Sequence, residues 1–172
     1  KQDISEALNS DIYIVFGSSY IKGWLINFLI KKKAINIHMG LSPYYRGSSC
    51  NFWALQDNNP HLVGATIHYL SKGLDNGKII CHVLPNKKFN NIFEYTMSVV
   101  KNAHSVLAKK IKDKTILKLH SHEQNYNLER RYSKNIDFND KVLKTFFKNK
   151  ITVKYIKKTI KNKFDKNKFI NI

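Results

Sequence analysis

The sequence predicts an α/β fold with a mostly parallel sheet that ends in a hairpin and is packed by helices. Residues 12–16 and 34–38 are short apolar runs of the kind that form buried strands, and residues 24–30 between them have helical character. A strand, a helix and a strand in this order are typical of a parallel doubly wound sheet. Residues 63–70 and 78–84 are two further strand-like segments joined by a glycine-containing turn, which predicts the hairpin.

Periodicity and capping signals predict the remaining elements. Apolar side chains recur at helical spacing through residues 92–112, which we expect to form the longest helix. Shorter elements are expected as a helix at 51–56, a strand at 116–120 and the end of a helix at 1–10. Residues 137–139 predict the cap of a helix that begins near Asp140. The Lys- and Asn-rich residues 157–172 are expected to fray.

The chain is strongly basic, and the charge is concentrated in its second half. Among 172 residues, 30 Lys and Arg stand against 12 Asp and Glu, a formal net charge of +18. Residues 1–86 carry 8 basic and 5 acidic residues, whereas residues 87–172 carry 22 and 7. Such a half is compatible with nucleic acid or an anionic membrane surface as a partner. The small share of Arg and the abundance of Asn and Ile favour genome composition instead.

Cysteine usage and hydropathy limit the compartment and the cofactors. Cys50 and Cys81 show neither metal-ligand spacing nor a disulfide framework, so a reducing, cytoplasmic compartment is expected. No run is long and apolar enough to cross a bilayer, so no membrane association is expected. His120 and His122 lack a third ligand of matching spacing, and no metal is expected.

Three polar side chains at the ends of predicted elements can carry chemistry. Asn36 and His38 lie two residues apart where a strand ends, so they point to the same face, and Asp75 lies in a turn. An amide can stabilise a developing oxyanion, an imidazole can move a proton, and a carboxylate can orient the imidazole or a water. This combination is typical of acyl transfer. The competing interpretations are a strand-end Asn, a core His and an Asp that only forms the turn.

These residues belong to a longer pattern that resembles the formyltransferase family that uses 10-formyltetrahydrofolate. The pattern consists of Asn36-Ile37-His38, Leu41-Ser42-Pro43, Arg46-Gly47, Gly64-Ala65-Thr66 and Leu74-Asp75-Asn76-Gly77. The family includes methionyl-tRNA, glycinamide-ribonucleotide and amino-sugar formyltransferases, and formyltetrahydrofolate hydrolases. The loop departs from the family, because Gly40 begins a Gly-Leu-Ser-Pro run where Ser-Leu-Leu-Pro is usual.

The resemblance implies a Rossmann-like formyltransferase fold and an N-formyltransferase of one-carbon metabolism. Asn36, His38 and Asp75 would be the catalytic residues, and no Ser or Cys is expected to act with His38 as a nucleophile. The formyl donor, 10-formyltetrahydrofolate, would be bound without a metal. Its expected contacts are Ser18, Ser19, Tyr20, Ile21, Leu74 and Gly77.

Other polar and aromatic residues are assigned with less information. Arg46 and Tyr44 are expected to bind the acceptor. Arg46 could instead bind the glutamate tail of folate or pair with a structural carboxylate, and Tyr44 could instead serve only in packing. His68 lies in the predicted hairpin and is expected to be structural or peripheral.

The resemblance also bears on the extent of the domain. Family members normally have two or three βα units before the strand at 12–16, so it implies that this chain is the C-terminal part of the full domain. We expect residues 1–122 to form a partial catalytic core and residues 123–172 a basic, mostly helical extension. An exposed edge or apolar face is expected where the earlier units belong.

Three functions remain open for the protein, and the first two differ in the acceptor. The loop at 38–47 and the short Lys-rich tail favour a small-molecule amine, an amino sugar carried on a nucleotide. The second is methionyl-tRNA, because a basic half would help to bind phosphates. The third is a non-catalytic basic binding module derived from the family. A homodimer is compatible with the resemblance.

Overall fold

The structure is a computed structural model that describes residues 7–172, apart from the side chains at positions 7 and 117. The strands are β1 (Ile14–Phe16), β2 (Ile35–His38), β3 (Tyr45–Gly47), β4 (Ala65–Tyr69), β5 (Ile79–Val83) and β6 (Arg131–Ser133). The helices are α1 (Gly23–Lys31), α2 (Cys50–Gln56), α3 (Ile92–Lys112), α4 (Asp140–Lys148) and α5 (Val153–Lys163).

Four strands form the main sheet in the order β1-β2-β4-β5. β1 and β2 are parallel and are joined through α1, whereas β2 with β4 and β4 with β5 are antiparallel. The predicted α/β class and the hairpin of β4 and β5 are therefore confirmed. The described sheet is mixed, with one parallel and two antiparallel pairs, because the hairpin of β4 and β5 pairs with β2 in the antiparallel direction.

A second, two-stranded sheet pairs β3 with β6 in parallel. It joins the loop that follows β2 to a segment between α3 and α4, with Tyr45 opposite Arg131 and Gly47 opposite Ser133. Both strands have only three residues, and local periodicity cannot reveal a pairing between segments so distant in sequence. As a result, neither strand was predicted.

The core lies between the main sheet and the helices. Ile37 and Ile67 are buried on neighbouring strands, and Val99 and Leu107 of α3 are buried in the same cluster. α3 packs against β4 and β5, and α5 packs against the 3-10 turn Pro60–Leu62. This packing holds the carboxyl end of β2, where Asn36 and His38 lie, against the rest of the fold.

The edge formed by β1 is apolar and exposed. β2 is its only neighbour among the described strands, and Ile14 and Phe16 are 49% and 43% exposed. Trp24 at the start of α1 is also half-exposed. The exposed apolar edge expected from the sequence is therefore present. None of the helices in the described range is both long and apolar enough to span a membrane.

Several local predictions can be compared with the structure. The helix at Asp140 is confirmed, because the Asn139 side chain accepts a hydrogen bond from the Val142 amide. The strand expected at 116–120 is wrong: a 3-10 turn, Thr115–Leu117, follows α3. Near the end of residues 157–172, which are expected to fray, the His82 amide donates to the Ile170 carbonyl oxygen and the Ile170 amide donates to His82 Nδ1, so Ile170 is hydrogen-bonded to β5. Of the helix end expected at 1–10, the 3-10 turn Ala7–Asn9 is seen and residues 1–6 lie outside the described range.

Candidate active site

A cavity of about 1000 Å³ opens where β1 and β2 end. Asn36, His38 and Asp75 all line it, so the structure brings together the three side chains that were singled out from the sequence. They come from two parts of the fold: Asn36 and His38 from alternate positions of β2, and Asp75 from the turn between β4 and β5. Their catalytic roles remain a prediction that this geometry makes testable.

Asn36 is held by a histidine on the neighbouring strand. The register of β2 and β4 places Asn36 opposite His68, and Asn36 Nδ2 lies 3.0 Å from His68 Nε2. On its other side, His68 Nδ1 is 2.8 Å from the Tyr69 carbonyl oxygen, which can only accept. His68 therefore donates from Nδ1 and accepts at Nε2, which is the neutral form of the ring.

The environment of His68 favours this neutral form. The ring is buried, and burial lowers the pKa of His68 to about 4. Asp75 Oδ1 is 3.9 Å from His68 Nε2 and acts in the opposite direction, but more weakly than burial. His68, expected to be structural or peripheral, thus lies at the centre of the site and lines the cavity.

His38 faces acceptors with both ring nitrogens. Nδ1 is 3.3 Å from Asp75 Oδ1, and Nε2 is 3.3 Å from the Tyr45 carbonyl oxygen. The ring is buried and packs closely over Gly40, where an added Cβ would lie 2.5 Å from Nε2. Asp75 lines the cavity, so Nδ1 of His38 faces a carboxylate that borders the cavity.

Cys50 is a neighbour of His38 that sequence reasoning missed. Its Sγ lies 3.6 Å from His38 Nε2, although no Cys was expected to pair with this imidazole. The thiol is buried, and burial raises the pKa of Cys50, with a further rise from the carboxylate of Asp75. A buried, protonated thiol is a poor nucleophile, so the expectation of no nucleophilic Cys still fits the electrostatics.

The carboxylate of Asp75 is oriented on both oxygens. Oδ1 faces His38, and Oδ2 accepts a hydrogen bond of 3.1 Å from the Gly47 backbone amide. Asp75 itself has a φ of 50°, in the left-handed region that Asp and Asn tolerate better than most residues. The turn chemistry and the proposed carboxylate role therefore coexist at one residue.

Most of the residues expected to contact the donor line this cavity, and their role as donor contacts stays a prediction. Ser18, Ser19, Tyr20, Ile21 and Leu74 line the cavity, whereas Gly77 is absent from its lining. An added Cβ at Gly77 would collide with the carbonyl oxygen of Tyr69, so this glycine allows the turn to pack on β4. The hydroxyl of Tyr20 donates to the Lys72 carbonyl oxygen at 2.8 Å, which joins the two sides of the opening.

The residues expected to contact the acceptor lie elsewhere. Arg46 donates to Glu129 Oε2 at 2.7 Å and to the Leu74 carbonyl oxygen at 2.9 Å, and it is absent from the cavity lining. Tyr44 lines a separate cavity of about 600 Å³, and its hydroxyl donates to the Lys168 carbonyl oxygen. Of the three partners considered for Arg46, the structure shows a structural carboxylate, that of Glu129.

The cavity combines apolar side chains with backbone groups that are free to bind a ligand. Apolar side chains form one wall: Phe16, Ile26, Ile92, Phe93, Met97 and Val100. Beside this wall, the backbone groups of Ser18, Ser19 and Ile21 form no hydrogen bond with any other residue in the described range. Polar edges of a ligand can therefore bind there while its ring packs on the apolar wall.

One part of the cavity lining was not predicted from the sequence. It comes from β6 and the residues after it, including Tyr132, Lys134 and Asn135, together with Phe147 of α4. The signal was weak, because these residues are polar or exposed and lie far from the pattern at 36–77. Within residues 7–172, no three His, Cys, Asp or Glu side chains are arranged to hold a metal ion.

Comparison with known proteins identifies the family. The model of the family described as formyl transferase matches residues 5–111, which is more than half of the chain. A methionyl-tRNA formyltransferase of Desulforamulus reducens is 35% identical over 79 residues, which are 46% of this chain and 25% of that protein. The chain thus spans about a quarter of the length of the curated relatives it matches.

Solved structures agree on the fold. The formyltransferase of Anoxybacillus kamchatkensis, in complex with UDP-4,6-dideoxy-4-formamido-L-AltNAc and tetrahydrofolate, is 21% identical, with a TM-score of 0.63 over 91% of this chain and 79% of that one. The N-formyltransferase of Helicobacter canadensis, in complex with folinic acid and dTDP-3-aminofucose, is 20% identical, with a TM-score of 0.59 over 78% and 49%. With its family match and this fold, the chain belongs to the formyl transferase family.

Proposed function

We propose that the protein transfers a formyl group from 10-formyltetrahydrofolate to a primary amine, and that this amine belongs to an amino sugar carried on a nucleotide. The observation that carries the proposal is the contact of 3.3 Å between His38 Nδ1 and Asp75 Oδ1 in a cavity that Asn36 also lines. These are the three groups that an acyl transfer between nitrogens requires: an oxyanion donor, an imidazole and a carboxylate.

Asn36 stabilises the charge that develops on the formyl oxygen. A carboxamide has two N–H groups, and His68 accepts one of them, which leaves the other for the substrate. Because His68 fixes the amide before the substrate arrives, Asn36 does not need to reorganise during the reaction. A preorganised donor of this kind contributes about 3 to 4 kcal/mol to the barrier reduction.

His38 and Asp75 handle the proton. The attacking amine must lose a proton, and the nitrogen that leaves must gain one. The Asp75 carboxylate can accept the proton of the amine, directly or through a water, and pass the same proton to the departing folate nitrogen, while its contact with His38 keeps it oriented towards the cavity. Cys50 takes no part as a nucleophile, because its raised pKa keeps it a thiol.

The formyl donor supplies the activated one-carbon group, and the segment at 17–21 would hold its ring. The free backbone groups of Ser18, Ser19 and Ile21 offer donors and acceptors to the ring edges, and Phe93 and Met97 offer an apolar surface. The tetrahydrofolate and folinic acid bound by the two solved relatives support a folate at this position.

Two acceptors are compatible with the relatives. The UDP- and dTDP-linked sugars in the solved structures support an amino-sugar nucleotide. The curated relatives, both methionyl-tRNA formyltransferases, are the specific observation that favours tRNA. We prefer the sugar nucleotide, because Arg is the better residue for phosphate recognition, and the extension at 123–172 has only Arg130 and Arg131. Arg131 is already paired with Asp57.

The test is a formylation assay with the full chain, 10-formyltetrahydrofolate and each acceptor in turn. We expect turnover of at least one UDP- or dTDP-linked amino sugar, with weak dependence on salt because few phosphates are neutralised. His38→Ala and Asp75→Asn should lose turnover and still bind the folate. Turnover of charged initiator tRNA with no turnover of any sugar would reverse our choice of acceptor. Folate binding without turnover of either would favour the non-catalytic module.

A further inference from the structure

Four consecutive carbonyl groups in the turn that carries Asp75 are each bound by a side chain. Arg46 donates to the Leu74 oxygen at 2.9 Å. The Gln124 carboxamide donates to the Asp75 and Gly77 oxygens, both at 2.8 Å, and the Tyr126 hydroxyl donates to the Asn76 oxygen at 3.2 Å. Side-chain donors therefore hold every peptide carbonyl from position 74 to position 77.

These donors depend on one segment, residues 124–132, which we call the clamp segment. Gln124 and Tyr126 belong to it directly. Arg46 does not, but its guanidinium pairs with Glu129 and lies 4.8 Å and 5.5 Å from the ring centres of Tyr126 and Tyr132. The clamp segment thus holds the turn both directly and through Arg46.

Gln124 is the centre of this arrangement. Its side chain is buried, and its Nε2 spans the two carbonyl oxygens that flank Asn76. The opposite amide orientation would bring a third oxygen against these two oxygens, so donation from Nε2 is the favourable assignment. A buried amide that bridges two carbonyls is costly to replace, because its removal leaves both without a partner.

Asp75 needs such support more than an ordinary turn residue does. Its φ of 50° lies in the left-handed region, which Asp tolerates better than most residues but which still costs energy relative to glycine, and such conformations persist when the surrounding structure holds them. The same residue must keep Oδ1 at 3.3 Å from His38 Nδ1. A small rotation of the 75–76 peptide would therefore move the carboxylate relative to the imidazole.

We propose that Gln124 and Tyr126 are positioning residues that set the Asp75 carboxylate against His38. The clamp segment then contributes to the reaction by positioning Asp75, a role that does not follow from the basic charge of this half of the chain. The proposal rests on the proposed function, since it concerns the carboxylate assigned there to proton transfer. It nevertheless makes a structural claim that can be measured without turnover.

The kinetic test compares Gln124→Met, which keeps the size of the side chain and removes its donor, with Glu123→Gln. Glu123 is the exposed neighbour of Gln124 and pairs with Lys78 at the surface, so Glu123→Gln serves as a matched control. We expect Gln124→Met to lower kcat by about 10- to 100-fold, because displacement of a catalytic group by about 1 Å has effects of that size. KM for the formyl donor should stay within about twofold, and Glu123→Gln should match the wild type in both.

Tyr126→Phe gives a milder variant. It keeps the ring beside Arg46 and removes only the hydrogen bond to Asn76, so a fall in kcat of about threefold is expected. An unchanged kcat in Gln124→Met, or a loss expressed only as a raised KM for the donor, would overturn the proposal.

Amide hydrogen exchange separates this proposal from the proposed function. In the folded full chain, Gln124→Met should speed exchange in residues 73–79 and leave β2 and α3 protected as in the wild type. That comparison holds even if no formyl transfer is found for any acceptor. Uniform exchange changes across the fold, or none in residues 73–79, would show that Gln124 does not hold the turn.

Discussion

His68 Nε2 lies 3.0 Å from Asn36 Nδ2, and the opposite nitrogen of the same ring lies 2.8 Å from the Tyr69 carbonyl oxygen. The ring is therefore anchored to the backbone of its own strand on one side and orients an amide of the neighbouring strand on the other. Because it is neutral and buried, it accepts from Asn36 without competing for the carboxylate of Asp75. This makes His68 the residue that determines which way the Asn36 amide points.

Replacing His68 should therefore lower the rate through Asn36. In His68→Leu the amide loses its acceptor and can rotate away from the formyl oxygen, and we expect kcat to fall by about 10- to 100-fold. His68→Gln keeps an acceptor oxygen near the same place and should recover part of the loss. Steady-state kinetics with saturating donor would measure both. His120→Gln, at an exposed histidine outside the cavity lining, should behave as the wild type.

The pH dependence of stability should follow buried neutral histidines. His82 donates from Nε2 to the Ser42 carbonyl oxygen and accepts from the Ile170 amide at Nδ1, so both nitrogens are committed to the neutral ring. Burial lowers the pKa of both His68 and His82 from 6.5 to about 4. Between these values the unfolded chain binds protons that the folded chain excludes. Stability must then fall as the pH falls from 6.5 towards 4, by up to about 3 kcal/mol for each ring.

Urea unfolding at pH 7.5, 5.5 and 4.5 would measure this loss. His82→Gln should be less stable than the wild type at pH 7.5, because the bonds to Ser42 and Ile170 are perturbed, but its stability should change less with pH. His104→Gln leaves both buried rings in place and should keep the wild-type pH dependence. An equally steep loss in His82→Gln would show that protonation of His82 does not contribute.

The sequence was informative where chemistry and local periodicity coincide. The spacing of Asn36 and His38 and the turn at Asp75, together with the resemblance to the formyltransferase pattern, predicted three residues that meet at one cavity. α3 was predicted with its observed bounds, because its apolar stripe is long and regular. In these cases the signal lies within a few residues or repeats over several turns.

Contacts between distant segments could not be predicted in the same way. The pairing of Arg46 with Glu129 and the hydrogen bonds of Gln124 to the Asp75 turn join residues with no shared period. Cys50 meets His38 only because α2 begins directly after β3 and returns towards β2. The boundary expected at residue 122 stays a prediction, and the clamp segment beyond it contacts the predicted catalytic turn.

Cys50 should be dispensable for turnover in spite of its distance of 3.6 Å from His38. The thiol is buried with a raised pKa, so it is neither an accessible nor an ionised nucleophile. We expect Cys50→Ala to keep kcat within about threefold of the wild type. Steady-state assays would check the rate, and mass spectrometry after donor treatment should find no formyl adduct on the thiol. Complete loss of turnover in a folded Cys50→Ala variant would contradict this assignment.

Arg131 should stabilise the docking of β6 on β3. It donates to both oxygens of Asp57, at 2.9 Å and 2.7 Å, and its guanidinium lies 4.4 Å from the centre of the Trp53 ring. Lys cannot make the paired contact, so Arg131→Lys should lower the free energy of unfolding by about 1 kcal/mol, a modest value because the pair is partly exposed. Arg130→Lys is the neighbouring control. Equal stability of the two variants in urea unfolding would contradict the prediction.

Gly77 should tolerate no side chain, and the reason lies in β4. An added Cβ would collide with the Tyr69 carbonyl oxygen and would lie 3.1 Å from His68 Nδ1. Backbone cannot give way as a flexible side chain can, so the turn itself must move in Gly77→Ala. We expect a loss of about 1 to 3 kcal/mol in the free energy of unfolding, the range for overpacked sites.

The same substitution should also lower the rate, because the displaced turn carries Asp75 and the displaced ring orients Asn36. Gly23→Ala is the matched control: Gly23 has a φ of 68° but no atom within 4 Å of an added Cβ, so only backbone strain is introduced, at a residue outside the turn. It should cost about 1 kcal/mol and leave kcat near the wild-type value. Urea unfolding and steady-state kinetics on both variants separate the two effects. Equal activity of Gly77→Ala and Gly23→Ala would contradict this prediction. It would show that close packing of the turn on Tyr69 does not hold Asp75 and Asn36 in register.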